Sequence, residues 1–461
     1  MVTFLAVLAL QAVAIQGVTV IDGRGGPPLT DATVVIDGDR IAAVGPRREV
    51  PIPAGARVES GRGRWLIPGL IDMHAHVTLG PVHRTATSMV MDLDPTTIDP
   101  SLRALLAFGV TTIRDPGAVT PFAVAVRDSI ERGQRIGPRI RTAGEVIEAQ
   151  EFAGLTVAVR TEAEARAEVR RQAAAGVDYI KVYVSLPPPV IAAAIDEAHR
   201  LGKKVIGHLF ATSWTEAADL GIDAIVHAVP SSPRLLRPAA RDAWRRQMTR
   251  TSRFMIQWFE FADLASPEID SMVTALIRRR VVHDPTLVVF EAMTFGNRAS
   301  VTESPDLRLA PPQLLANWRK DFQLSAGWTA QDFDSAQAAW PRVLQFVKHL
   351  HDRGVPITVG TDANNPWVPP GSSFHRELEL LVQAGLSPTE VLRAATRNGA
   401  VGLDLLDQVG TIEPGKRADL VLLTADPLAD IRNTRRIAWV MRNGRRFDPA
   451  TLLAAGSPPG R

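Results

Sequence analysis

Cysteine is absent from this chain of 461 residues. Disulfide bridges and thiolate metal sites are therefore excluded, and the redox compartment cannot be read from thiols. A bound metal would need histidine, carboxylate or a less usual ligand. Lysine is scarce beside arginine: only Lys181, Lys203, Lys204, Lys320, Lys348 and Lys416 are present, which makes a lysine in an apolar context informative. Tyrosine occurs only at Tyr179 and Tyr183. The net charge is only +3, and no basic block is interleaved with aromatics, so nucleic acid is not indicated as a partner. Beyond the N-terminus no stretch is apolar enough to span a bilayer. The run Val2 to Ala14 is too short to do so. With Ala12-Val13-Ala14 as a small-x-small site, residues 1–14 read as a signal peptide, which points to a periplasmic or secreted protein. The run lacks a positive n-region, and the alternative is a first strand or helix of a small domain in a cytoplasmic protein.

A composition of 46% hydrophobic and 22% charged residues suits a large core and two domains. From Ile15 to about Pro53 short Val/Ile runs alternate with Asp-Gly and Gly-Gly turn signals. The same character returns in "GTIEPGKRADLVLLTADPL" and "AWVMRNGRRF". A small β-sandwich domain built from both ends, residues 15–64 and 401–461, is expected. Between them strand-like and helical runs alternate. Strands are predicted at Trp65–His76, Val110–Asp115, Arg139–Ala143, Tyr179–Val184, Lys204–His208, Ala224–His227, Thr286–Phe290 and Ile357–Thr361. Thr161 with Glu164 predicts a capped helix ending near Gly176. Eight such units predict an α/β fold, a (β/α)8 TIM barrel over residues 65–400, with a helical insertion at about 300–341 that could act as a lid. No Gly-rich dinucleotide loop follows the first strand, which disfavours an open doubly wound sheet.

Chemistry in such a barrel sits at the C-terminal ends of the strands. The first strand ends in His74 and His76, the fifth in His208, the sixth in His227 and the eighth in Asp362, while the fourth carries Lys181. Residues i and i+2 of a strand share a face, so His74 and His76 project together. One such pair is compatible with ordinary polar residues at a strand end. Four imidazoles and a carboxylate at one mouth point to a metal. Lys181, in Ile-Lys-Val-Tyr-Val, should be buried, and a buried ammonium is costly. A neutral amine there can react with CO2 to give an anionic carbamate whose two oxygens could bridge two metals. A Schiff-base lysine is the competing chemistry, and the surrounding histidines argue against it.

The HxH on the first strand, the lysine on the fourth, the histidines on the fifth and sixth and the aspartate on the eighth resemble the metal-dependent amidohydrolase superfamily. "WLIPGLIDMHAHV", "GVTTIRDPG", "IKVY", "GTDA" and "GTIEPGKRADLVLL" resemble its imidazolonepropionase-like and prolidase-like branch, over almost the whole chain. The resemblance implies a binuclear centre, with His74, His76 and Asp362 on one divalent ion, His208 and His227 on the other, and carbamylated Lys181 between them. Zinc is the first expectation, although manganese or cobalt accept the same donors. It further implies hydrolysis of an amide-type C–N bond in a small-molecule substrate (an N-acyl amino acid, a dipeptide-like compound or a cyclic amide). A bridging hydroxide would attack, and Asp362 would carry the proton to the leaving nitrogen. Ester, lactone or phosphotriester hydrolysis at the same centre is the alternative, as is an inactive barrel used for binding. Two departures matter. Phe210 stands where several dipeptidase-like relatives have a tyrosine, and Tyr183 is the candidate substitute. "GEVIEAQEFAG" lacks a Gly-Gly-His run, which weakens the expectation of an ordinary dipeptide substrate. His375 is a further candidate for substrate contact, with Trp367 as a pocket wall. A homo-oligomer is allowed by the sequence.

Overall fold

The computed structural model describes residues 12–85 and 89–456. Most of the expected signal segment lies outside the described residues. Val13 and Ala14 of the expected cleavage site belong to strand Val13–Val20, where they pair with Ile36 and Val35.

Both chain ends contribute to one eight-stranded sheet. Strand Val13–Val20 pairs with Leu29–Asp37 and with Arg57–Ser60. Trp65–Pro68 lies between it and Leu420–Leu423 from the C-terminal part. Alternating apolar side chains such as Ile15, Val34, Leu66, Leu420 and Trp439 form a core on one face of this sheet.

The scaffold between the two ends is a closed parallel barrel. Its strands are Leu70–Asp72, Val110–Asp115, Arg139–Thr142, Tyr179–Val182, Lys204–Gly207, Ala224–Val226, Val282–Asp284 and residues 357–361. Asp178 joins the third strand to the fourth by donating from its amide to the Thr142 carbonyl at 2.8 Å. His283 bridges to Ile357, and Met73 N donates to Val359 O at 2.7 Å, so the eighth strand closes on the first. Helices cover the outside, and one of them starts with the cap that the sequence predicts. Thr161 and Glu164 form a reciprocal cap on helix Glu162–Ala174. Ser213 and Glu216 do the same for Trp214–Leu220, which ends at left-handed Gly221.

Two strand predictions need correction. Trp65 to His76 is not one strand. Trp65–Pro68 belongs to the terminal sheet and Leu70–Asp72 to the barrel, with Gly69 between them. A side chain at Gly69 would stand 2.1 Å from Thr111 Oγ1, so only glycine lets the chain cross here. The seventh strand is Val282–Asp284 rather than Thr286–Phe290, which opens helix Leu287–Thr294. A short apolar run has no period that separates strand from buried helix. Here the buried Glu377 carboxylate accepts from the amides of Leu287 (2.9 Å) and Val288 (2.6 Å), which caps the helix. The chain between the seventh and eighth strands is helical, including Pro312–Lys320 and the long Ala330–Asp352 with Pro341 inside it.

Candidate metal centre

The six residues singled out at the strand ends meet in one cavity of about 290 Å³ at the C-terminal mouth of the barrel. His74 and His76 follow the short first strand. Their order is kept by contacts across to the eighth strand, where Asp362 N donates to His74 O at 2.7 Å and His76 N to Ala363 O at 3.2 Å. Asp362 Oδ1 lies 3.5 Å from His74 Nε2 and 3.2 Å from His76 Nε2. Donor atoms of His74, His227 and Asp362 lie within 4.8 Å of one another. The His208 and His227 rings are 4.3 Å apart between centroids, and those of His74 and His227 are 4.9 Å apart. His227 and Asp362 both sit in the left-handed region, at φ 74° and 61°. Backbone strain of that kind costs on the order of 1 kcal/mol per residue and clusters at functional sites.

The electrostatics match a set of lone-pair donors. Burial drives the imidazole of His74 well below its ordinary pKa and that of His208 down to about 3. His227 is likewise pushed well below its ordinary value by burial, with His208 adding to the effect. All three are neutral at physiological pH, the form that ligates. Burial pushes the Asp362 carboxyl up, but the charges and hydrogen bonding of His74, His76 and Lys181 outweigh it and hold Asp362 below the usual range. Burial lowers the Lys181 amine to about 7. Among the described residues Lys181 Nζ has no hydrogen-bond partner, although the residue is only 3% exposed. Neutral imidazoles, an ionised carboxylate and an orphaned amine pointing into one space fit divalent metal ions. They fit a protein that keeps this space dry far less well.

Tyr183, two residues beyond Lys181, also lines the cavity, and its ring stands edge-on to His208 at 5.0 Å. Phe210 points away and packs on Trp244 and Phe254. The expectation for His375 is not met. It is buried on helix Ser372–Gln383, with Nδ1 2.8 Å from Thr434 Oγ1 and Nε2 3.0 Å from Phe108 O. Both nitrogens are thus taken up by the joint between barrel and terminal sheet. Trp367 lines a different, smaller cavity. Arg376, another cation near the eighth strand, is engaged by Glu291 and Glu379.

Sequence reasoning missed four groups. Asp284, at the end of the true seventh strand, stands 3.0 Å from His74 Nδ1, and Arg114 donates to it at 2.6 Å. Asp115 accepts from Thr78 at 2.8 Å and lies 4.0 Å from His76 Nδ1. Arg84 lines the cavity and has no ion pair among the described residues. The polar sites "TTIRDPG" and "VVHDPT" at strand ends were the available signals for the first three.

The remaining walls are mostly apolar. They come from hairpin Val82–Arg84 with Met89–Met91, from Phe152 and Leu155, from Val289, Phe290 and Met293 on helix Leu287–Thr294, and from Phe322 and Leu324 of the helical excursion.

The model of the amidohydrolase family matches residues 65–230 and 341–447, leaving out most of that excursion. The chain is 25% identical over 444 residues to an imidazolonepropionase from Streptomyces griseus, spanning 92% of this chain and 95% of that protein. It is 27% identical over 425 residues to the imidazolonepropionase of Micrococcus luteus, spanning 89% and 92%. Among solved structures it resembles a candidate prolidase from Bifidobacterium longum, with TM-score 0.69 and 26% identity over 97% of this chain and 99% of that one. A bottromycin amidohydrolase shares the fold at TM-score 0.71 and 23% identity, over 96% of this chain and 90% of that one. With the family model matched over more than half its length, and with a TIM barrel beside a sheet built from both ends, the chain belongs to the amidohydrolase family and is a hydrolase acting on carbon–nitrogen bonds.

Proposed function

We propose that the protein is a binuclear metal-dependent hydrolase that cleaves an amide-type bond in a small substrate with a large apolar body and a carboxylate. The observation that carries this reading is the buried amine of Lys181, which has no hydrogen-bond partner among the described residues and lies among the donors. His74, His76 and Asp362 would hold one ion, His208 and His227 the other, and Lys181 as its carbamate would serve both. Zinc suits this donor set. Divalent ions held there supply Lewis acidity and bring the pKa of water towards neutral.

The remaining work falls to side chains of this chain. Asp362 is ionised and within reach of both HxH imidazoles, so it is the group to accept a proton from water and return it to the leaving nitrogen. Asn365 Nδ2 donates to Asp362 Oδ1 at 2.8 Å and leaves the other oxygen free for that exchange. Burial raises the Tyr183 hydroxyl above its ordinary pKa, so it stays protonated and can donate to a developing oxyanion. The Met, Leu and Phe walls exclude water and hold an aliphatic or aromatic acyl group. Arg84, at the outer part of the cavity, offers a fork for a carboxylate. An N-acyl amino acid with an apolar side chain meets all of these requirements.

The test is a hydrolysis screen of N-acyl amino acids, dipeptides and lactams, with metal content measured alongside. Turnover of apolar N-acyl amino acids, lost on chelation and regained with added metal, is the expected result. Undiminished turnover by metal-free protein would remove the reading.

A further inference from the structure

His74 differs from the other imidazoles in what stands behind it. Its Nε2 faces Asp362, and its Nδ1 lies 3.0 Å from Asp284 Oδ2. Asp284 is fully buried at the end of the seventh strand, and its second oxygen accepts from Arg114 at 2.6 Å. The same guanidinium donates from Nε to the carbonyl of Met73, the residue before His74, at 2.7 Å. One ion pair therefore grips both the backbone that carries His74 and the ring itself. Elsewhere the grip is looser. His227 Nδ1 meets the hydroxyl of Thr286 at 2.7 Å, a group that can donate or accept. His76 Nδ1 stands 4.0 Å from Asp115 and makes no hydrogen bond among the described residues.

We infer that Asp284, clamped by Arg114, is the positioning residue that fixes His74 in its Nδ1–H tautomer and presents the Nε2 lone pair to the cavity. A carboxylate only accepts, so the proton shared with it must sit on Nδ1 of the imidazole. A carboxylate behind a ligating histidine both orients the ring and raises its basicity. Close packing enforces the arrangement. Gly360 of the eighth strand lies against the pair, and a Cβ there would stand 2.9 Å from His74 Cβ and 3.1 Å from both Asp284 Cβ and Oδ2. Only a glycine leaves room for the carboxylate and the ring to meet. The metal side of this inference rests on the proposed function, whereas the tautomer does not.

Asp284→Asn is the discriminating variant because it keeps the shape. Arg114 still demands an acceptor, so the carboxamide turns its oxygen to Arg114 and its NH2 to His74. A donor facing Nδ1 moves the ring proton to Nε2 and blocks the ligand atom. The tautomer is read in metal-free protein labelled with 15N-histidine, using long-range 1H–15N correlation and His74→Gln to assign the signal. Affinity is read by chelator competition with Zn2+, and folding by the melting temperature of the metal-free protein. The expected outcome is an Nδ1–H ring in wild type, an Nε2–H ring in Asp284→Asn, and about 10- to 100-fold weaker binding of one zinc equivalent. Gly360→Ala, which intrudes on the same pair from the other side, should weaken the same equivalent and carries the test if Asp284→Asn does not fold. A wild-type Nε2–H ring, or wild-type zinc affinity in both variants, would overturn the inference while leaving the hydrolase reading intact. A tautomer switch in a protein that takes up no zinc at all would support the positioning role and remove the binuclear reading instead.

Discussion

Replacing Lys181 with methionine should make the metal-free protein more stable, not less. The side chain is buried and has no partner among the described residues, and burial lowers its amine from 10.5 to about 7. Its folded pKa lies below the unfolded value, so between these two values the unfolded chain binds more protons and stability rises with pH. Below about 7 the ammonium is retained in the folded protein and its penalty is at full strength. At pH 6 that penalty is roughly 5 kcal/mol, at about 1.4 kcal/mol per unit. At pH 9 the folded protein holds a neutral amine, and the remaining penalty of roughly 2 kcal/mol is the cost of deprotonating it. Lys181→Met has similar length and no charge, so it should gain up to these amounts. The assay is urea unfolding of metal-free protein in CO2-free buffer at both pH values. A gain at pH 6 larger than that at pH 9, together with loss of metal and of turnover, is the expected pattern. Unchanged or reduced stability at pH 6 would show that the amine has a partner in solution, and retention of two metals with full activity would refute the carbamate bridge.

Three further outcomes are expected. Reactivation of metal-free protein by zinc should need CO2 or bicarbonate and should slow as pH falls through about 7, because only the neutral Lys181 amine reacts; a rate independent of both would count against carbamylation. Arg84→Gln should raise KM for apolar N-acyl amino acids by about 10- to 100-fold, the worth of a charged hydrogen bond, and leave kcat and the hydrolysis of the corresponding carboxamides unchanged. Equal effects on acid and carboxamide would exclude the carboxylate contact. His375→Ala should lower stability by about 1–3 kcal/mol, by leaving the Phe108 carbonyl without its imidazole partner, with turnover per folded molecule unaltered; a selective fall in kcat would reopen its catalytic role.

The six residues that meet in the cavity were legible because they lie on or just after apolar runs of the same barrel and because lysine is rare in this chain. The helix start at Thr161 was legible for a local reason: a cap is decided within four residues. What stayed hidden depends on distant chain segments. Asp284 was passed over because the apolar run after it, Leu287–Thr294, looks like a strand until Glu377, some ninety residues on, caps it as a helix. Tyr183 and His375 looked equally qualified, yet one faces the cavity and the other a joint with Ile431–Arg435. No local pattern carries that difference. The apolar walls come from several separate segments, none of which advertises a pocket by itself.

Several costs of different kinds meet at one place in this protein. Three desolvated imidazoles, an amine unpaired among the described residues, and left-handed backbone at His227, Thr286 and Asp362 lie around a single cavity. Each would be removed by an apolar or glycine replacement, and none contributes to the core that surrounds the barrel. A fold under selection for stability alone has no reason to gather them. The Arg114–Asp284 pair shows how such a site is held to one geometry: a buried charge pair adds little net stability, but a missing partner there is costly, so the pair resists any arrangement of His74 except the one that satisfies both ions.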